Sequence, residues 1–253
     1  MLSTATKPRK NTVAKSDAQG DSTCVLDACN LHRHLDSTLA VSDISLSLFA
    51  GDTLGLLGLN GAGKSTTLKI LCGMLAPDSG SVTINGYSML ESPLQARAQI
   101  GFLPDQPPLY NDMRVVEYLR LCGRIRGLRG QQLRLRQSTV TEQCSLGDVQ
   151  RKLIGSLSKG YRQRVGLAQA MIHQPAVLLL DEPSNGLDPK QLDGMRQLIS
   201  DYANEHAVVF STHLLSEAQA TCNRIAVIHE GKLVADQAAD GADLESLFRG
   251  VTA

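Results

Sequence analysis

A glycine-rich segment in the first third of the chain constrains its fold more than any other feature. It reads Gly58-Leu59-Asn60-Gly61-Ala62-Gly63-Lys64-Ser65 and lies between an apolar run at 53–57 and a helical pattern that starts at Lys64. Glycines in such a loop let successive backbone N–H groups point at phosphate oxygens, and the lysine adds a mobile positive charge. The order of buried strand, glycine-rich turn and helix predicts an α/β fold with a phosphate-binding P-loop after the strand.

The P-loop predicts that the chain binds a nucleotide. The start of the following helix carries about half a unit of positive charge, which favours an anion there. Lys64 is expected to reach the β- and γ-phosphates, and the hydroxyl of Ser65 is expected to be a ligand of Mg²⁺. The residues predicted to bind nucleotide in this segment are Gly58, Asn60, Gly61, Ala62, Gly63, Lys64, Ser65 and Thr66.

A second apolar run, 177–180, ends in two adjacent carboxylates, Asp181 and Glu182. Successive side chains on a strand point in opposite directions, so the two acids can do different work. One can hold Mg²⁺, and the other can take a proton from an attacking water. GTPases recognise guanine with an Asn/Thr-Lys-x-Asp element after the P-loop, whereas the nearest segment here, 14–17, lacks the first residue and precedes the loop. A GTPase is therefore disfavoured.

Strand and helix patterns alternate along the chain, which predicts a mainly parallel sheet covered by helices. Strands are expected at 44–48, 53–57, 82–84, 100–103, 177–181, 207–211 and 224–229. Helices are expected near 64–72, 162–173, 189–203 and 214–222. From 113 to about 156 apolar positions recur at three- and four-residue spacing, so residues 107–160 are interpreted as a helical insertion.

Composition narrows the class of protein. The 25 basic residues balance the 25 acidic ones, so no net field attracts nucleic acid or an acidic membrane. The six cysteines form no Cys-x-x-Cys pair, which disfavours zinc and a disulfide framework. Neither a secretion signal nor a membrane-spanning run is evident, so a cytoplasmic protein is expected. Residues 1–22 are predicted to be a disordered tail, and 23–253 the folded domain.

Two more motifs complete an ordered set. Leu157-Ser158-Lys159-Gly160-Tyr161-Arg162-Gln163 precedes a helical segment, and Ser211-Thr212-His213 follows an apolar strand. With the P-loop and the Asp-Glu strand, in this order, they resemble the nucleotide-binding subunit of an ATP-binding cassette (ABC) transporter over about residues 24–249. The resemblance implies a P-loop NTPase cassette. Its expected parts are a RecA-like core at 23–106 and 161–253 with an N-terminal antiparallel β subdomain, and a helical subdomain at 107–160.

The resemblance also implies roles for single residues, with ATP and Mg²⁺ as cofactors. Glu182 corresponds to the general base, His213 to the switch histidine, and Gln106 to a residue that touches Mg²⁺ or the attacking water. Metal contacts are expected from Ser65, Asp181 and Gln106. Ser158 and Gly160, in the signature motif, and Asp188, in the D-loop, are expected to act across a dimer interface on the nucleotide of the opposite subunit.

This chain departs from the family pattern at some positions. Lys159 and Tyr161 stand where the commonest signature has Gly and Gln. Leu35 stands where the family usually stacks an aromatic ring on adenine. Because base stacking is worth about 1–3 kcal/mol, ATP binding is expected to be about tenfold or more weaker, unless His34 stacks instead.

By the same resemblance, the partners are a second copy or a paralogue of the chain and a separate membrane permease, without nucleic acid. The expected location is the cytoplasm, on the inner face of the cell membrane. Segments 102–110 and 157–163 are most similar to the ABC-2 class, which includes gliding-motility and multidrug exporters and so implies export. Arginines of the insertion form either a docking face for the permease or an ordinary solvated surface; they are Arg114, Arg120, Arg124, Arg126, Arg129, Arg134 and Arg136.

Two other functions are open to a chain with these motifs. A soluble ABC ATPase that acts on ribosomes or DNA usually has two cassettes or a long coiled-coil insertion, whereas this insertion has about 50 residues without sustained heptads. A regulator that binds nucleotide without hydrolysis is disfavoured by the presence of both Glu182 and His213. The transported substrate and the choice between homodimer and heterodimer do not follow from the sequence.

Overall fold

The computed structural model describes residues 24–35, 38–241 and 244–252, and the predicted tail at 1–22 lies outside the described residues. The strands are β1 (Cys24–Leu35), β2 (Thr38–Phe49), β3 (Thr53–Leu57), β4 (Ser79–Ile84), β5 (Tyr87–Ser88), β6 (Ile100–Leu103), β7 (Val177–Asp181), β8 (Ala207–Thr212), β9 (Arg224–His229) and β10 (Lys232–Ala238). The α-helices are α1 (Lys64–Leu71), α2 (Pro93–Ala98), α3 (Val115–Ile125), α4 (Gly130–Gln143), α5 (Lys159–Met171), α6 (Pro189–Ala203), α7 (Leu215–Thr221) and α8 (Leu244–Thr252).

A six-stranded sheet forms the centre of the molecule, in the order β10-β9-β3-β8-β7-β6. All neighbours pair in parallel except the edge strand β10, which is antiparallel to β9. The carboxyl ends of β3, β7 and β8 therefore lie side by side at one edge of the sheet, where α/β proteins bind their ligands. This arrangement confirms the predicted mainly parallel sheet.

An antiparallel sheet of order β2-β1-β4-β5 packs beside the central one. Ile44, Leu46 and Leu48 are buried along β2, as their alternation with serines predicts. Asn85 and Gly86, both at positive φ, connect β4 to β5 in the predicted hairpin. The antiparallel β subdomain thus starts at Cys24, where the strand pattern begins.

The helices α3 and α4 lie inside the predicted insertion, 107–160, whose bounds remain a prediction. They pack closely, because a Cβ added to Gly123 would lie 2.4 Å from Leu133 Cδ1. Three of the insertion's arginines donate to main-chain carbonyls and so help to hold the helices together: Arg126 to Arg97, Arg129 to Arg124 and Arg136 to Ile172. The alternative of a purely solvated arginine surface therefore does not describe these three.

Two details differ from the sequence prediction. The helix expected near 162–173 is α5, which begins at Lys159, because Ser158 caps it and accepts a hydrogen bond from the Tyr161 N–H at 3.4 Å. Strand β7 ends at Asp181 as expected, but Glu182 then adopts a left-handed conformation with φ of 44° instead of extending the alternation assumed for the two acids. Within the described ranges, the helices are too short or too polar to span a bilayer.

Candidate active site

An open cavity of about 660 Å³ lies at the carboxyl edge of the central sheet, over the P-loop. It is lined by P-loop residues, by the end of β1 with the start of β2, by Glu182 and by the β9–β10 turn. The lining residues are Leu35, Thr38, Leu39, Ala40, Asn60, Gly61, Gly63, Lys64, Ser65, Thr66, Glu182, Glu230 and Gly231. Most of the residues predicted to bind nucleotide are thus brought to one cavity.

Two P-loop glycines are required by close backbone approach. A Cβ added to Gly58 would lie 2.3 Å from the carbonyl oxygen of Ile228, in β9. A Cβ on Gly63 would lie 2.4 Å from the carbonyl oxygen of Ala40, in β2, and Gly63 has φ of 107°. The P-loop is therefore wedged between the two sheets, and its shape depends on residues far away in the sequence.

Lys64 lies buried under the loop, with its amine turned toward main-chain oxygens. Nζ donates to the carbonyls of Gly58 at 2.9 Å and Leu59 at 3.1 Å, and lies 3.7 Å from Glu182 Oε1. Burial lowers the pKa of Lys64, while the carboxylates of Glu182 and Asp181 oppose this shift. A triphosphate that binds Lys64 therefore competes with these two carbonyls as acceptor of the hydrogen bonds that the amine donates.

Asp181 is held by two hydroxyls. Ser65 Oγ donates to Asp181 Oδ1 at 3.1 Å, and Ser211 Oγ donates to the same oxygen at 2.7 Å. Mg²⁺ prefers oxygen ligands and is usually held by one or two carboxylates together with substrate phosphates and waters. An adjacent hydroxyl and carboxylate beside the phosphate loop fit that ion, so Ser65 and Asp181 lie where metal ligands are expected.

Glu182 and His213 lie next to each other, because they follow the carboxyl ends of two neighbouring parallel strands, β7 and β8. His213 Nδ1, just beyond β8, lies 3.3 Å from Glu182 Oε2. The Glu182 N–H donates to Ser211 Oγ at 3.0 Å. The side chains of Asp181 and Glu182 do have different partners, but strand alternation does not explain it, because Glu182 lies beyond the strand in its left-handed conformation.

Leu35 lines the cavity, together with Leu39 of β2. The neighbouring His34 is held elsewhere. Its ring Nδ1 lies 3.1 Å from Asp78 Oδ2, and its N–H donates to the same oxygen at 2.7 Å. The sequence left open that His34 stacks on a base, but its ring would then have to leave Asp78. Leu35, and not His34, lines the cavity.

The signature and D-loop residues are placed at helix starts. Ser158 is the N-cap of α5, and Asp188 is the N-cap of α6, where it accepts from the Gln191 N–H at 2.9 Å. Gly160 lies in the first turn of α5. Asp188 thus has the capping role that its sequence position before Pro189 allows, and its action across a dimer remains a prediction.

Gln106 lines a second cleft of about 690 Å³ rather than the P-loop cavity. Its neighbours there include Asp105, Lys159 and Asn185. Its predicted contact with Mg²⁺ or water therefore stays a prediction. Conversely, sequence reasoning gave Ser211 no role of its own within the motif 211–213, and it missed Ala40 and Gly231, since a small residue in a strand or turn gives no local signal of a site.

These features define a P-loop ATPase of the ATP-binding cassette type. A comparison with protein families matches residues 41–185 to the family described as "ABC transporter", so the chain belongs to that family. It is 35% identical over 211 residues to the "ABC transporter ATP-binding protein NatA" of Bacillus subtilis, covering 83% of this chain and 84% of NatA. It is 35% identical to the "Nod factor export ATP-binding protein I" of Cupriavidus pinatubonensis, covering 85% and 66% of the two chains.

A solved structure described as an ATP-binding subunit of an ABC transporter has the same fold. The two structures superpose with a TM-score of 0.81 at 28% sequence identity, and the match covers 90% of this chain and 100% of the other. The predicted family and fold are thereby confirmed. The chain is an ATP-binding, ATP-hydrolysing subunit of an ABC transporter.

Proposed function

We propose that this subunit binds Mg²⁺ with ATP, dimerises around two ATP molecules, and drives a separate membrane permease in export. One observation carries the proposal. Lys64 and Glu182 line one cavity and His213 lies beside Glu182, whereas Ser158 of the signature is the exposed cap of a different helix and does not line that cavity. A cavity that lacks the signature is completed by a second copy or a paralogue that supplies it.

The chain's own residues account for the chemistry. The P-loop N–H groups and Lys64 bind the phosphates, and Lys64 leaves the Gly58 and Leu59 carbonyls to do so. Glu182, whose Oε1 lies 3.7 Å from Lys64 Nζ, is the carboxylate that accepts a proton from the attacking water. Mg²⁺, when bound to Ser65 and Asp181, would neutralise charge on the phosphates.

The remaining residues orient the site. Ser211 fixes both the Asp181 carboxylate and the Glu182 N–H, so the metal ligand and the base keep a constant relative position. His213 stands beside Glu182, and by the resemblance to the family it would bind the γ-phosphate. Across the dimer, the capped start of α5 offers N–H groups and helix charge to that phosphate.

ATP would therefore hold two subunits together, and hydrolysis would release them. A ligand shifts an equilibrium only if it binds the two states differently, and the γ-phosphate does so because it contacts both subunits only in the closed dimer. Opening and closing would move a permease docked on the insertion, at the inner face of the cell membrane. Export is supported by the resemblance to the ABC-2 class and by the name of the Nod factor relative.

The proposal is tested with Glu182→Gln. Loss of the general base is expected to lower ATP turnover by about 10²–10⁴-fold and to trap an ATP-bound dimer. Turnover is measured by phosphate release, and the dimer by light scattering with and without ATP. Glu91→Gln, at an exposed glutamate outside the cavity, is the control and should behave as wild type. Full turnover of Glu182→Gln, or a monomer with ATP and the permease present, would contradict the proposal.

A further inference from the structure

His213 lies in a short turn between β8 and α7, and a buried carboxylate closes that turn. Strand β8 ends at Thr212 and helix α7 begins at Leu215, so only His213 and Leu214 connect the two elements. Glu217, in the first turn of α7, reaches back to the strand, where its Oε2 accepts a hydrogen bond of 2.5 Å from Thr212 Oγ1. Thr212 is 2% exposed and Glu217 is 8% exposed. The carboxylate is therefore directed at the strand and away from solvent.

The hydroxyl of Thr212 extends this contact to the backbone beside His213. Thr212 Oγ1 accepts from the Leu214 N–H at 3.1 Å while it donates to Glu217. The Glu217 N–H in turn donates to the Leu214 carbonyl at 3.2 Å. The residues on both sides of His213 are thus bonded to Glu217, and the backbone of His213 lies within a closed ring of hydrogen bonds.

This arrangement is a modified capping box. Leu214 is the N-cap of α7, and leucine has no side-chain acceptor for the free N–H groups of a helix start. In the usual capping box, a glutamate at the third helical position accepts directly from the N–H of the N-cap residue. Glu217 occupies that position, but the hydroxyl of Thr212 lies between its carboxylate and the N–H. The cap therefore ties the start of α7 to the end of β8.

The end of β8 is also bonded to the two acids of the site. Ser211 donates to Asp181 and accepts from the Glu182 N–H. Successive side chains of a strand point in opposite directions, so Ser211 faces the acids while Thr212 faces α7. His213 comes next, with its Nδ1 3.3 Å from Glu182 Oε2. The strand end from which the His213 ring extends is thereby held from two directions.

We infer that Glu217 is a positioning residue for His213 and acts on it through Thr212. The inference rests on the proposed function, in which His213 binds the γ-phosphate of ATP. Neither Glu217 nor Thr212 is among the described residues that line the P-loop cavity, so both act on the reaction through the turn. The closed ring restricts the backbone at His213 and keeps the imidazole beside Glu182. Without the carboxylate, the Thr212 hydroxyl loses its acceptor, and the turn loses the contact that joins β8 to α7.

The experiment compares steady-state ATP turnover in wild type, Glu217→Met and Glu217→Gln. Methionine reaches about as far as glutamate but carries no oxygen acceptor, whereas the amide oxygen of glutamine still accepts the Thr212 hydroxyl. Glu217→Met should lower kcat by about 10- to 100-fold, because a displacement of about 1 Å can slow a positioned reaction by about 10²-fold. Its affinity for fluorescent ATP should remain that of wild type, and Glu217→Gln should stay close to wild type in both measurements.

A double-mutant cycle tests whether the effect passes through His213. His213→Ala alone should lower kcat by about 10²–10³-fold, the usual cost of removing one hydrogen-bond donor from a developing charge. Adding Glu217→Met to His213→Ala should cause no further loss, because residues that act as one unit are not additive. A glutamate with a merely structural role would instead lower kcat by the same factor with and without His213.

Further variants isolate the hydroxyl and the cap, and a melting curve verifies that each variant is folded. Thr212→Ser keeps the hydroxyl and should turn over ATP like wild type, whereas Thr212→Val removes it and should match Glu217→Met. This pair gives the same test if Glu217→Met does not fold. Glu117→Ala is the matched control, since Glu117 occupies the third position of α3 and accepts from the Arg114 N–H at 3.1 Å. Loss of that cap should lower the melting temperature but leave kcat unchanged.

Two outcomes would overturn the inference alone. One is wild-type kcat in Glu217→Met although His213→Ala is impaired. The other is an undiminished further loss when Glu217→Met is added to His213→Ala. Wild-type turnover in His213→Ala would instead remove the role of His213 in the proposed function, and the positioning role of Glu217 with it.

Discussion

Ser211 connects the two acidic residues of the site through a single hydroxyl. Its Oγ donates to Asp181 Oδ1 and accepts from the Glu182 N–H, and the residue is completely buried in β8. A hydrogen bond to a charged group contributes about 1.5–3 kcal/mol, so this contact restrains Asp181 more firmly than packing alone. Ser211, on β8, thereby holds together the two adjacent acids at the end of the neighbouring strand β7.

Leu35 is expected to limit ATP affinity. Leu35→Tyr places an aromatic ring beside the cavity and should tighten ATP binding by about tenfold, since stacking on a base is worth about 1–3 kcal/mol. Affinity is measured by titration with fluorescent ATP. Leu90→Tyr, at an exposed leucine outside the cavity, is the control. Equal affinity in Leu35→Tyr and wild type would mean that the base binds elsewhere.

His173 is expected to make the fold sensitive to acid. Its Nε2 pairs with the Ile100 carbonyl, its buried Nδ1 has no partner among the described residues, and burial beside Arg126 and Arg136 lowers its pKa from 6.5 to about 4. Between pH 6.5 and 4 the unfolded chain therefore binds the extra proton, and stability falls as pH falls.

The measurement for His173 is the free energy of unfolding in urea from pH 7 to pH 4. The loss from this residue should approach about 3 kcal/mol at the acid end, because each unit of pKa difference is worth about 1.4 kcal/mol. His173→Gln keeps a donor for the Ile100 carbonyl but does not titrate, so its pH dependence should be shallower. An unchanged slope would rule out His173 as the cause.

Sequence predicted the P-loop residues and Glu182 because each belongs to a motif with a fixed local spacing. It did not predict that Ala40 and Ile228 press on the glycines of that loop, since these contacts join distant parts of the chain. Nor could it show that His34 is held by Asp78, because that pair forms only when β1 and the segment before β4 come together.

Among the secondary-structure elements, the P-loop depends on a crowded glycine with positive φ, Gly63. Gly63→Ala should abolish ATP binding and lower stability by more than the about 1–2 kcal/mol of a left-handed residue, because its Cβ would meet the Ala40 carbonyl. Gly51→Ala is the matched control, with φ of 93° and open space around the added Cβ.

In that comparison, both variants are tested by ATP titration and by urea unfolding. Gly51→Ala should bind ATP like wild type and show only the conformational cost. If Gly63→Ala retains ATP binding, the wedge between the two sheets does not shape the loop.

The strands and helices themselves were largely predictable, since alternating or continuous apolar runs specify β2, β3, β7 and β9 with few exceptions. The order of strands was not, because β8 lies between β3 and β7 although it follows both in the chain. The start of α5 was missed by three residues because a serine cap, rather than an apolar pattern, determines it.

In the molecule as a whole, alternate residues of the central strands face two separate cores. Leu178 and Leu180 of β7 join the cluster that includes α3, α4, α5 and α6, whereas Val177 and Leu179 join the cluster with α1 and the antiparallel sheet. The helical insertion therefore packs on one face of the central sheet, and the P-loop packs on the other.

Composite sites predict complementation between two inactive variants. Lys64→Ala disables the P-loop and keeps the signature, and Ser158→Ala does the reverse. Each should be nearly inactive alone, but a mixture contains dimers in which an intact P-loop meets an intact signature. ATP turnover of the mixture should exceed that of either protein at the same total concentration. The absence of any recovery would indicate that one chain completes its own site.

The P-loop lies where the antiparallel sheet meets the central one, and Gly63 packs against Ala40 of β2. The Gly231 N–H donates to the Ala62 carbonyl, and the Ser42 N–H donates to the Gly231 carbonyl. Any sliding of one sheet over the other must therefore deform the loop. A ligand or mutation that weakens the contact between the two sheets, even on the far side of β2, is therefore expected to lower the affinity for the triphosphate before it lowers the melting temperature.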